Sequence, residues 1–276
     1  MRFRVLILAA ITYFASHGLA HSQNAFQAFV VGNAAYKSTG MLSNPVRDAK
    51  LMLSTFQKLG FDITQLSDDN AAHFRFEFER ALDRIKNSEP QIVFIYVAGH
   101  GVQISGKNYL VPTDASAWKG EQDAVREGID ITEMISKASS ANSYKTFVFF
   151  LDICRTNPFR TGAVASGRGL ASISVNDFVP STVGEALTDM PREGTGLARI
   201  YISYSTQPGD VASDGLPGEN SPYAMALSEG ILELRGNLNE LFPQVQKRVS
   251  AATSGRQVPW LSTVAGTGAV PHSGER

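Results

Sequence analysis

The chain has 276 residues, 43% of them apolar, with 25 basic against 26 acidic residues and a formal net charge of −1. That suffices to bury one large α/β core or two small ones, and the balanced charge leaves no electrostatic footprint for nucleic acid. A single cysteine, Cys154, excludes an internal disulfide and leaves one thiol that is either an inert buried group or a reactive one.

At the N-terminus, Arg2 and Arg4 precede an apolar run over 5–14, and Gly18-Leu19-Ala20 offers a small-residue cleavage site. This pattern predicts a signal peptide over 1–20; an apolar run of about ten residues is too short to span a bilayer. The mature protein is then expected to be exported, periplasmic or secreted, with no integral membrane segment.

Residues 25–31 read as a first strand ending at Gly32-Asn33. Asn44-Pro45 marks a helix start, with Pro in the first turn. Val46, Ala49, Met52, Leu53 and Phe56 then recur at helical spacing up to Gly60. A second strand follows over 61–66, and a charged helix over 71–86 carries Phe74, Phe78, Ala81, Leu82 and Ile85 on one face. Residues 91–98 form a continuous apolar run, as expected of a strand buried on both faces of a parallel sheet, and it ends in Gly99-His100-Gly101. A hairpin is expected over 102–111 and a weaker helix over 129–138. Residues 146–151 repeat the buried-strand pattern and lead straight into Asp152 and Cys154.

Residues 160–196 are rich in Gly, Ser, Thr and Pro with little periodicity, which reads as a long exposed loop open to processing. A strand over 198–204 opens into the turn-rich Ser205-Thr206-Gln207-Pro208-Gly209-Asp210. Two helices over 222–234 and 238–253 and a short strand over 257–261 complete one domain spanning 21–261, with a disordered tail over 262–276. Strands alternating with helices argue a mostly parallel α/β sheet covered by helices on both faces.

In such a sheet the working residues gather at the carboxyl ends of the strands. If the strands ending at His100 and Cys154 are neighbours, the two residues face one another across one cleft. The glycines on either side of His100 let the backbone turn and approach a ligand. Each residue alone also reads as structural, the cysteine as a small buried hydrophobe and the histidine as part of a turn. Zinc is a poor fit, since one Cys and five scattered His give no ligand spacing. No metal site is assigned. No Gly-x-Ser-x-Gly stands between strand and helix to supply a serine nucleophile.

Five segments in order, Phe29-Val-Val-Gly-Asn-Ala-Ala-Tyr36, Leu42-Ser-Asn-Pro-Val-Arg-Asp-Ala49, Tyr96-Val-Ala-Gly-His-Gly101, Leu151-Asp-Ile-Cys-Arg-Thr-Asn-Pro158 and Tyr204-Ser-Thr-Gln-Pro-Gly209, resemble the caspase-like cysteine peptidases (peptidase C14), nearest the bacterial metacaspase or orthocaspase branch. The likeness spans roughly 26–260, and the spacing of His100 from Cys154 is close to the roughly 50 residues of the caspase His-to-Cys pair. The resemblance implies a caspase-like fold with a sheet of about six strands. It implies a dyad in which Cys154 attacks a peptide carbonyl and His100 handles the proton, and an oxyanion hole from the backbone N–H groups of Gly101 and Cys154.

It also puts Asp48 and Asp152 in the pocket for the residue before the scissile bond (P1), with Asp214 standing where caspases carry an arginine. An acidic pocket selects Arg or Lys, as the single pocket carboxylate of trypsin does. The bland readings are a surface helix residue for Asp48 and a turn former for Asp214. The chain departs from metacaspases in having Arg155-Thr156-Asn157 where His-Ser-Gly is frequent, and Ala98 where Ser is frequent. Arg155 reads either as a depressant of the thiol pKa or as one half of a packing salt bridge.

No cofactor is implied. Calcium activation, known in part of the family, has no supporting motif, since Asp114, Glu121, Asp123 and Glu127 match no calcium loop. The sequence therefore favours an exported cysteine endopeptidase acting on peptide or protein substrates. Two alternatives stay open: a catalytically silent peptide- or partner-binding module of the same fold, and a cysteine hydrolase acting on another cell-envelope amide.

Overall fold

The computed structural model describes residues 26–86, 92–142, 145–159, 199–234 and 237–265. The expected signal peptide and the expected processing loop lie outside them. Among the described residues nine strands and six helices follow in order: β1 (Phe26–Gly32), α1 (Pro45–Lys58), β2 (Asp62–Ser67), α2 (Ala71–Lys86), β3 (Ile92–Gly99), β4 (Gly101–Ile104), β5 (Lys107–Leu110), α3 (Glu121–Glu127), β6 (Ile129–Asp130), α4 (Ile131–Ala141), β7 (Thr146–Ile153), β8 (Arg199–Tyr204), α5 (Pro222–Leu234), α6 (Leu238–Ala252) and β9 (Trp260–Ala265).

The main sheet has six strands in the order β2-β1-β3-β7-β8-β9. All neighbours are parallel except the edge strand β9, which runs antiparallel to β8. The caspase-like fold and its mostly parallel sheet are as the sequence implies. Side-chain alternation along a strand sorts the core into two layers. In β7, Phe147, Phe149, Leu151 and Ile153 pack toward α2 and α4, whereas Val148 and Phe150 pack toward α1, α5 and α6. At an order of ~25 cal/mol per Å² of apolar area, a layer on each face is what makes the central strands the most buried part of the chain.

A smaller antiparallel sheet, β4-β5-β6, stands beyond the end of β3. Its turn has Ser105 and Gly106 both at positive φ, 49° and 84°, the conformation of a tight hairpin. The helix expected from 129 starts two residues later. Residues 129 and 130 pair with β5, and the Asp130 side chain accepts from the backbone N of Thr132 at 2.7 Å, capping α4.

One boundary needs correction. Residues 262–265, expected in the tail, belong to β9, with Ser262, Thr263, Val264 and Ala265 opposite Ile202, Tyr201, Ile200 and Arg199. Small polar residues carry no strand signal of their own here; the backbone ladder to β8 decides. Among the described residues no helix is long and apolar enough to cross a membrane.

Candidate active site

The parallel register of β3 and β7 pairs Ala98 with Asp152 and Gly99 with Ile153. His100 and Cys154 are thus the next residues past the paired ends of two adjacent strands. The glycines on either side of His100 have separate reasons. A Cβ on Gly99, whose φ is 154°, would run into the Tyr36 hydroxyl. A Cβ on Gly101 would stand 2.8 Å from the Ile153 Cβ and 2.9 Å from the Cys154 carbonyl oxygen, so only glycine lets the two loops approach this closely.

His100 is held by the loop between β1 and α1. Its backbone N donates to the Tyr36 hydroxyl at 2.7 Å, and its ring lies against that of Tyr36, centroids 4.5 Å apart. Its Nε2 is 2.6 Å from the carbonyl oxygen of Gly40. A carbonyl only accepts, so Nε2 carries the hydrogen and Nδ1 is the nitrogen left to take a proton. No third side chain stands out in the sequence as an orienter for this histidine. Gly40 fills that place with a backbone atom, which no residue-type pattern reveals.

Cys154 is half-buried, and its thiol lies 3.9 Å from the carbonyl oxygen of Ala212. Burial pushes the thiol above its ordinary range, and the negative charges of Asp152 and Asp214 push it the same way. Arg155 does not counter this. Its guanidinium sits 3.8 Å over the Tyr204 ring, and its Nε donates to Asn108 Oδ1 at 3.3 Å. Among the described residues Nη1 has no hydrogen-bond partner. The residue is 6% exposed, and its charge is disfavoured by burial. Among the described residues it forms no salt bridge, and it acts as a packing and anchoring residue. Its backbone N donates to the Asp210 carbonyl at 3.0 Å and its own carbonyl accepts from Gly209 N at 3.1 Å, which ties the cysteine loop to the loop after β8.

The three acids named from sequence come together. Asp152 continues the Val148–Phe150 face of β7, two residues before Cys154, and so meets α1 and the start of α5. Asp48, on α1, is 1% exposed, not a surface residue; its Oδ1 accepts from Asn220 Nδ2 at 2.8 Å and Ser221 N at 2.9 Å. Asp152 Oδ2 accepts from the hydroxyls of Ser221 at 2.5 Å and Tyr96 at 3.3 Å. Burial raises the Asp152 carboxyl well above its usual range, and the charge of Asp48 raises it further. Burial likewise raises Asp48, with Asp214 adding to the shift and the donors from Asn220 and Ser221 opposing it.

Asp214 accepts from Ser43 N at 3.1 Å, and its carbonyl accepts from Asn44 Nδ2 at 2.5 Å. Asn44 stands at the N-cap position of α1 without capping it, and spends its amide pinning the loop at Asp214, Leu216 and Gly218. Gln257 fixes the other flank, donating to the Ser205 carbonyl at 2.8 Å and accepting from Ser213 N at 3.0 Å.

The four acids considered for calcium are committed to protein donors. Asp114 takes Ala71 N, Glu121 takes Asn157, Asp123 takes Lys119 N and Arg126, and Glu127 takes Ser116, Trp118 and Arg126. Among the described residues no group of three or more His, Cys, Asp or Glu is placed to hold a metal.

Comparisons with known proteins give the chain a family and a fold. The family model of the caspase domain (peptidase C14) matches residues 25–269. Human mucosa-associated lymphoid tissue lymphoma translocation protein 1 is 28% identical over 131 residues, covering 46% of this chain and 15% of that protein, so the chain spans only a small part of its relative's length. The crystal structure of caspase-1 from Spodoptera frugiperda superposes with a TM-score of 0.59 at 14% identity, over 87% of this chain and 86% of that one, a likeness of fold.

Proposed function

The chain belongs to the caspase-domain family of peptidases, and from that premise we propose that it is an exported cysteine endopeptidase cleaving after Arg or Lys. The observation that carries the reading is the register that sets His100 beside Cys154, with His100 Nε2 engaged by the Gly40 carbonyl. In this reading Nδ1 accepts the thiol proton as Sγ attacks the peptide carbonyl carbon. The oxyanion forms against the backbone N–H groups of Gly101 and Cys154. The protonated imidazole then gives its proton to the leaving amine, and water hydrolyses the thioester through the same two groups. Because burial and neighbouring carboxylates keep the resting thiol protonated, the histidine acts as a general base at the moment of attack.

Specificity for a basic P1 residue is supported by the convergence of Asp48, Asp152 and Asp214 next to the cysteine. Export is supported by Arg2, Arg4 and the apolar run after them. The test is the chain's activity on fluorogenic peptides ending in Arg, Lys, Asp or Asn, with and without calcium. Cleavage after Arg and Lys is expected, with losses of several orders of magnitude in both Cys154→Ala and His100→Ala and little more in the double variant. More than about a tenth of the activity left in Cys154→Ala would overturn the mechanism; a preference for Asp at P1 would overturn the specificity.

A further inference from the structure

One residue touches both buried pocket acids. Ser221, 1% exposed, donates its backbone N–H to Asp48 Oδ1 at 2.9 Å and its hydroxyl to Asp152 Oδ2 at 2.5 Å. The hydroxyl oxygen accepts from Ala224 N at 2.9 Å, the capping bond at the start of α5. That bond occupies a lone pair and leaves the single hydroxyl proton for Asp152. Pro222 follows and restricts Ser221 to extended backbone. The acids arrive from different elements, Asp48 from α1 and Asp152 from β7, and two like charges this close separate or take up a proton unless donors hold them.

We propose that Ser221 is a specificity-positioning residue that fixes Asp48 and Asp152 as one two-carboxylate receptor for a single guanidinium. The planar fork of arginine, with five donors, suits two carboxylates held at a fixed separation better than the point charge of lysine does. This role rests on the basic-P1 reading above. The other charged and titratable groups facing the pair are Tyr96 from β3, Cys154 just after β7, Tyr223 from α5, Arg47 from α1 and Asp214 from the loop before α5. None of them bonds to both acids among the hydrogen bonds of the described residues.

The experiment compares matched peptides with Arg or its neutral isostere citrulline at P1, across pH, in the full chain and its Ser221 variants. Ser221→Gly removes the hydroxyl at a position where glycine still starts a helix well. Losing one donor to an ionised group is expected to raise KM for the Arg peptide about tenfold and to cut the Arg-over-citrulline ratio of kcat/KM by about the same factor, with a smaller effect on kcat. The acid limb of the Arg profile should move to higher pH, because the ionised form of Asp152 has lost a donor. Ser221→Thr, which keeps the hydroxyl, should track the wild type. If Ser221→Gly fails to fold, Ser221→Ala carries the same expectation.

A Gly or Ala variant that folds and keeps the wild-type ratio and pH midpoint, or that loses kcat equally on both peptides, would overturn the proposal while leaving basic specificity intact. A wild type that treats Arg and citrulline alike would overturn the basic-P1 reading, and this role with it.

Discussion

Arg155 lies with its guanidinium carbon 3.8 Å from the centroid of the Tyr204 ring, so the cation one position after the cysteine is engaged in packing the fold. Arg155→Ala removes this contact, the Asn108 bond and a buried stem. It is expected to cost about 2–3 kcal/mol in chemical denaturation. In Arg155→Met, which keeps most of the stem, the pH midpoint for alkylation of Cys154 by iodoacetamide should stay where the wild type has it. A clear upward shift would mean that the guanidinium does reach the thiol.

The raised carboxyls of Asp48 and Asp152 set a direction for pH. A carboxyl whose pKa is higher in the folded than in the unfolded state makes the folded state the better proton binder. Stability from this source therefore falls as pH rises from the ordinary carboxylate range through the raised folded values. The empty protein should gain Tm from these groups on acidification from neutral pH, and Asp152→Asn should shrink that gain. Binding of an arginine peptide requires the ionised forms, so its KM should fall as pH rises over the same span. A KM flat with pH in the wild type would contradict the pairing.

Gly101→Ala places a methyl group 2.8 Å from the Ile153 Cβ and 2.9 Å from the Cys154 carbonyl. These are a core side chain and a backbone atom, neither a flexible tip, so the two loops must part. A displacement of the order of 1 Å between reacting groups costs roughly 10²-fold in rate. We expect that loss in kcat, with the far-ultraviolet circular dichroism of the wild type. Wild-type kcat would mean that the loops are free to shift without consequence.

Self-cleavage is expected within 160–196, a segment outside the described residues, at Arg168, flanked by Gly167 and Gly169, or at Arg192, followed by Glu193-Gly194. The acidic pocket should accept arginine, and glycine neighbours lift steric constraint. Intact-mass analysis should find fragments ending at one of these residues in the wild type and an uncut chain in Cys154→Ala. Equal cutting of both proteins would assign the cuts to another protease.

The layers of the fold were legible because their signals are local. Runs such as 146–151 and the spacing of Phe74, Phe78, Ala81, Leu82 and Ile85 each state which face is buried without help from elsewhere. Helix α3 gave no such signal, since Ala124 is its only buried residue. His100 and Cys154 could be picked out because they directly follow two such runs. Tyr36, Gly40 and Ser221 could not: their partners lie 64, 60 and 69 positions away, and the atoms involved are two hydroxyls and a carbonyl that many residues carry. Ser221 directly precedes Pro222 at the start of α5, but its contact with two acids depends on which elements the sheet order brings together.

The carboxylates beside Cys154 also bear on how long the protein keeps its one sulfur. Oxidants and stray electrophiles react with thiolate far faster than with thiol, and the empty site holds Cys154 in the thiol form through burial and the charges of Asp152 and Asp214. With no second cysteine in the chain to form a rescuing disulfide, oxidation beyond sulfenic acid is permanent. The raised thiol is thus a poorer target for oxidants than an ordinary cysteine, and the acids that neighbour it add to the protection that burial gives.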